Sequence, residues 1–86
     1  MKLSKTEETL MNYLWQLETA FMKDLLDVYP EPKPATTTLA TLLKRMTDKG
    51  YIAYNLNGKS REYYPLVKKE AYFSKHVNGL IKNFFN

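Results

Sequence analysis

Thr37, Thr38, Thr41, Lys44 and Arg45 crowd into one short stretch of the chain, and Lys59, Ser60 and Arg61 into another. Hydroxyls donate to and accept from base edges and phosphates, the threonine methyl suits the thymine methyl, and lysine and arginine neutralise phosphate. Residues of these types support recognition of a polyanion rather than bond-making. The parts of a catalytic constellation are missing. There is one histidine, His76, and no cysteine, so neither a thiolate metal site nor a multi-histidine site can be assembled, and no nucleophile-base-acid set is visible. A non-enzymatic protein that needs no cofactor is the expectation.

The elements that must position these residues follow from spacing. Leu39, Leu42, Leu43 and Met46 stand at i, i+3, i+4 and i+7, which at 100° per residue is a narrow arc on one side of a helix. By the same rotation Thr37, Thr41, Lys44 and Asp48 lie opposite, with Thr38, Ala40 and Arg45 on the flanks. Ala35 and Thr36 are both open as the cap of this helix, and Gly50 suits the left-handed residue that closes it. Three threonines are poor helix formers, each costing about a few tenths of a kcal/mol relative to alanine, so their clustering on one face suggests another use.

Tyr51-Ile52-Ala53-Tyr54-Asn55 and Glu62-Tyr63-Tyr64 are β-branched and aromatic, with Asn57-Gly58 between them. Asn-Gly as a two-residue loop predicts a hairpin in which Leu56 faces Lys59, Tyr54 faces Arg61 and Ile52 faces Tyr63, with the cations at its tip.

Upstream, Ser4-Lys5-Thr6-Glu7 has the capping-box pattern, in which Ser4 and Glu7 satisfy each other's backbone amides. It predicts a first helix from near Lys5 to near Leu17, with Leu10, Met11, Leu14 and Trp15 inward and Glu7, Glu8, Asn12 and Gln16 outward. The spacing of Phe21, Met22, Leu25, Leu26 and Tyr29 predicts a second helix from near Ala20 to Tyr29. Pro30, Pro32 and Pro34 then require an extended connector, because each fixes φ and removes a donor. A last helix is expected from Lys68 onward, where Phe73, Val77, Leu80 and Phe84, with Ile81 beside them, form a short heptad-like seam suited to a two-fold dimer contact.

With 86 residues, 44 % of them apolar and 14 % aromatic, the chain has the make-up of one folded domain. Its net charge of +4 is unevenly spread. Residues 1–43 hold four basic and six acidic side chains, and residues 44–86 hold nine and three. The basic half is thus a candidate polyanion surface. No apolar run approaches the roughly 18 residues of a membrane span, and the start of the chain has no apolar leader segment, so a soluble, cytoplasmic protein is expected.

Helix, helix, Pro-rich link, amphipathic helix and basic-tipped hairpin is the order of a winged helix-turn-helix. Leu3-Ser4-Lys5-Thr6-Glu7 with Leu14-Trp15, Thr38-Leu39 and Thr41-Leu42-Leu43-Lys44-Arg45-Met46 through Lys49-Gly50-Tyr51, and Tyr64-Pro65-Leu66-Val67 carry a closer likeness. Over nearly its whole length the chain resembles the penicillinase-repressor and copper-transport-repressor type of bacterial winged-helix regulators. The resemblance implies a dimeric repressor whose third helix reads an operator half-site and whose C-terminal helices form the dimer. Thr38 and Thr41 match threonines of that family's recognition helix, and Lys59 and Arg61 lie in its wing. Two departures bear on specificity: Thr37 and Ala40 stand where basic residues are frequent, and Ala35-Thr36 replaces the usual Ser-Pro helix start. The absence of cysteine argues against a copper-responsive mode. Relatives continue past the equivalent of residue 86 with the rest of the dimer interface and, in proteolytically controlled members, the cleavage site.

The expected fold is therefore mainly α with a small β-hairpin wing. Residues 1–67 form a winged-helix DNA-binding domain, and residues 68–86 a C-terminal helix that begins a dimerisation segment. The expected function is a sequence-specific repressor of transcription that binds double-stranded DNA through Thr37, Thr38, Thr41, Lys44, Arg45, Lys59, Ser60 and Arg61. It would dimerise through Phe73, Val77, Leu80, Ile81 and Phe84. A winged-helix module that binds protein through the same face is the alternative.

Overall fold

In the computed structural model, which describes residues 3–73, the elements run α1 (Lys5–Leu17), β1 (Ala20–Phe21), α2 (Met22–Val28), α3 (Thr36–Asp48), β2 (Ile52–Asn57) and β3 (Ser60–Pro65). Residues 69–73 are helical. The three strands form one antiparallel sheet in the order β1-β3-β2. This is a winged helix with its hairpin wing, as expected.

α1 starts as its sequence requires. Ser4 Oγ accepts from the Glu7 N–H at 3.2 Å, and Glu7 Oε1 accepts from the Ser4 N–H at 2.8 Å. Leu10, Met11 and Leu14 are fully buried. Glu7 does not face outward, in contrast to the expectation from helical periodicity. It is only 2 % exposed, and Lys49 Nζ, just past the end of α3, donates to its Oε2 at 2.6 Å. Burial raises the pKa of this carboxyl, but the bonds from Lys49 and Ser4 outweigh it and hold Glu7 below the ordinary glutamate value of 4.5. The cap and the ion pair together join the start of α1 to the end of α3.

α1 ends in a tight reversal. Glu18 takes φ +70°, and the Thr19 N–H donates to the Leu17 carbonyl at 2.9 Å, the i to i+2 bond of a γ-turn. The chain then enters β1, and here the expected helix from Ala20 to Tyr29 is corrected to Met22–Val28. Ala20 and Phe21 pair with Tyr63 and Glu62 instead. Their local pattern fits a helix, but the open edge of β3 supplies strand partners that an isolated segment lacks. Phe21 becomes the residue before α2, and Asp24 Oδ2 accepts its N–H at 2.9 Å. At the other end Tyr29 is extended ahead of Pro30. Lys33 Nζ reaches back from the Pro-rich connector to donate to the carbonyls of Leu26, Asp27 and Tyr29 at 2.9, 3.2 and 2.6 Å. A lysine outside the helix thus satisfies acceptors that a seven-residue helix leaves open.

α3 closes as a Schellman motif. The Gly50 N–H donates to the Thr47 carbonyl, the Tyr51 N–H donates to the Met46 carbonyl, and Gly50 has φ +83°, a conformation that favours glycine. In the hairpin the register differs from that expected. Asn57 pairs with Ser60, Leu56 with Arg61, Tyr54 with Tyr63 and Ile52 with Pro65. Gly58-Lys59 is the loop, not Asn57-Gly58. Gly58 has φ +65° and Lys59 does not share a positive φ, the pattern of a turn with glycine first, whereas the Asn-Gly turn needs positive φ at both residues. Because partners move by two residues, the faces are kept: Ile52 and Tyr63 stay in the core.

Leu39, Leu43 and Met46 of α3 join Leu10, Leu14, Leu25 and Ile52 in a single core cluster. The segment after β3 covers α1: Trp15 Nε1 donates to the Val67 carbonyl at 2.7 Å. Tyr72, 3 % exposed, donates to the Glu8 carboxylate at 3.0 Å and accepts from the Leu3 N–H at 3.4 Å. Phe73, half-buried, packs by its ring against Trp15 and Tyr72.

Because the Glu7 carboxyl titrates below its unfolded value, the stability it contributes is complete above about pH 4.5 and is lost as pH falls through its folded pKa. Glu7→Gln should cost roughly 1–3 kcal/mol at pH 7, and its melting temperature should converge on that of the parent as both are titrated into acid. Lys33→Met should cost roughly 0.5–1 kcal/mol in urea unfolding, read as a lower midpoint at unchanged m-value.

Candidate nucleic-acid interface

The four apolar residues of α3 turn inward, Leu39, Leu42, Leu43 and Met46 all being buried. Rotation about the helix axis then puts Thr36, Thr37, Thr38, Ala40, Thr41, Lys44 and Arg45 outside, and every one of them is exposed. The face is small, hydroxylated and basic, and the described residues leave it open.

Within that face the groups are not equally available. Thr41 Oγ1 donates to the Thr37 carbonyl at 3.0 Å, which leaves its lone pairs and methyl to meet a partner. Thr37 and Thr38 make no side-chain hydrogen bond among the described residues. Lys44 Nζ pairs with Asp48 at 3.0 Å, both side chains well exposed, a contact weak enough in water to yield to a phosphate. Arg45 is without such a partner among the described residues. It lines a shallow cleft of about 260 Å³ with Thr38, Thr41, Leu42 and Thr6 of α1. Thr6 is the residue that sequence reasoning missed: it stands far away in the chain, and no local pattern links it to α3.

The start of α3 has a distinctive electrostatic feature. Ala35 is the cap residue and has no side-chain acceptor, so the first amides of the helix remain free at the positive end of its dipole. Of the two open positions, Ala35 rather than Thr36 therefore occupies the cap.

The wing supplies the second group. Lys59, Ser60 and Arg61 are all exposed at and beside the turn. Arg61 is held: its guanidinium lies 4.5 Å from the centroid of the Tyr54 ring, and the neighbouring hydroxyl-bearing rings of Tyr63 and then Tyr54 push its pKa further up. Lys59 has no partner among the described residues. Thr37, Thr38, Thr41, Lys44 and Arg45 are thus gathered on α3, and Lys59, Ser60 and Arg61 on the wing. Of the expected dimer residues, Val77, Leu80, Ile81 and Phe84 lie outside the described residues.

Among the described residues no group of three or more His, Cys, Asp or Glu side chains is arranged to hold a metal ion, and no helix is long and apolar enough to cross a membrane. The family model of the penicillinase repressors matches residues 3–86. The chain belongs to the penicillinase repressor family. No curated protein matches it in sequence. Membership makes the chain a transcriptional regulator by kind rather than a member of an enzyme class, and it agrees with the likeness carried by the Leu3–Glu7, Thr38–Tyr51 and Tyr64–Val67 segments. In this penicillinase repressor relative the uncapped helix start faces the same solvent as Thr37 and Thr38.

Supplying the missing cap tests that helix start. Ala35→Asp should stabilise the domain by about 0.5–1 kcal/mol in urea unfolding, since a carboxylate there accepts a free amide and meets the positive end of the dipole.

Proposed function

We propose that the protein is a sequence-specific repressor of transcription that binds double-stranded DNA as a homodimer in the bacterial cytoplasm and acts by occluding a promoter, without a cofactor. The observation that carries the reading is the division of α3 into a buried leucine side and an exposed threonine side. A helix of this diameter fits the major groove, where side chains on its N-terminal turns meet base edges.

In this reading Thr37, Thr38, Thr41 and Lys44 read bases, while Arg45 and the wing residues Lys59, Ser60 and Arg61 contact phosphates. Thr38 and Thr41 offer hydroxyls and methyls, which suit hydrogen bonding and the thymine methyl respectively. The wing cations add affinity with little sequence preference, because phosphates are the same at every step. Residues 68–86 begin the dimerisation segment, with Phe73, Val77, Leu80, Ile81 and Phe84 as its two-fold seam. A dimer would set two α3 helices on half-sites about one helical turn apart.

Selection of bound duplexes from a random pool, followed by salt-titrated affinity on the selected sequence, tests the reading. Thr38→Ala or Lys44→Ala should change the selected sequence. The double change of Lys59 and Arg61 to Ala should weaken all duplexes alike and reduce the slope of log K against log salt by about 1.8, the value for two phosphates. A chain that binds duplex weakly, with a shallow salt slope and no selected sequence, would instead be a module for binding protein.

A further inference from the structure

α2 and the wing enclose an open groove of about 760 Å³, whose floor is Phe21, Met22, Leu26 and Tyr63. Phe21, Met22 and Leu26 are only half-buried, so the floor keeps part of its apolar surface open to solvent. One wall is the wing, with Lys59, Ser60 and Arg61, and the other is the outer edge of α2, with Lys23, Asp24 and Asp27.

The charges on the two walls differ in availability. Asp24 is committed to the Phe21 N–H, whereas the carboxylate of exposed Asp27, also lining the groove, has no partner among the described residues. Lys59 has no partner among the described residues, and Arg61 is held at the groove by the Tyr54 ring. The wing wall therefore presents two cations and no anion above an apolar floor. The volume falls within the roughly 300–1,000 Å³ of small-molecule sites.

We infer that this groove binds a small amphipathic organic anion, an aromatic carboxylate, with its ring on the floor and its carboxylate on Lys59 and Arg61, and that the bound anion opposes duplex binding. The opposition rests on the DNA-binding reading above: a carboxylate that occupies Lys59 and Arg61 withdraws from the duplex the two cations proposed for its phosphates. Linkage makes the effect mutual, so duplex weakens the anion by the same factor as the anion weakens duplex.

The test is a titration of the isotope-labelled 86-residue chain with 2-naphthoate, followed through its amide resonances, with the neutral 2-naphthylmethanol in parallel. Duplex affinity is measured first without either compound and then at saturating 2-naphthoate. Saturable shifts confined to residues 21–27 and 59–63 are expected, with the alcohol at least about fivefold weaker. Lys59→Ala should reduce naphthoate affinity toward that of the alcohol. Asp27→Asn, an exposed change on the facing wall, should tighten it about two- to threefold. Leu26→Trp fills the floor and should abolish the shifts while leaving duplex affinity in place; should that variant not fold, Asp27→Asn and Lys59→Ala still decide the matter. Duplex affinity should fall about fivefold or more at saturation.

Absence of saturable shifts, equal binding of acid and alcohol, or groove resonances that move with protein concentration alone because a second copy covers the groove, would overturn the site. Duplex affinity unchanged at saturating naphthoate would overturn the antagonism. Naphthoate bound in the groove of a chain that binds no duplex would defeat the repressor reading and the antagonism while the anion site stands.

Discussion

Burial of Leu39, Leu42, Leu43 and Met46 is the constraint on which the rest of the structure depends. Each such side chain contributes about 1.5–3 kcal/mol when fully removed from water, so together they fix the rotation of α3 about its axis. A turn of one residue, 100°, would carry a threonine hydroxyl into the cluster formed with Leu10, Leu14, Leu25 and Ile52 and would expose a leucine. The hydroxylated face is open because the leucine face is closed, and no separate device is required to aim it.

The wing is positioned by a different element. β3 is the middle strand, and Tyr63 pairs with Ala20 on one side and Tyr54 on the other. Through that strand the short connection after α1 and the base of the hairpin move together. The guanidinium of Arg61 lies over the Tyr54 ring, which in turn packs against buried Tyr63, so the wing's arginine is oriented by the same aromatic pair that anchors the hairpin. The groove between α2 and the wing is a consequence of the arrangement, since β1 holds α2 against β3 at its start while the wing extends beyond the core.

Much of the fold was legible in the sequence, and what could be read depended on neighbours in the chain. Ser4 and Glu7 are three residues apart and cap α1 as their types require. Gly50 closes α3 where a left-handed residue was expected. The exposed side of α3 followed from spacing alone. The hairpin was legible but its loop was not: Asn57-Gly58 and Gly58-Lys59 are both feasible turns, and the choice keeps Ile52 and Tyr63 on the core face either way. β1 was hidden because two residues carry too little pattern, and their partners lie about forty positions downstream.

The same division holds at the site. Local spacing and side-chain type dictated which residues of α3 face solvent, where α1 starts and α3 stops, and that the cations of the wing sit near its tip, because backbone periodicity and capping act within a few residues. Folding in three dimensions assigned what no local rule contains: Glu7 turned inward to Lys49, Lys33 folded back onto the end of α2, Thr6 set beside Arg45, and Phe21, Leu26 and Arg61 brought to one groove. Each of these joins residues whose meeting depends on how whole elements pack, a cooperative outcome of burying one shared core.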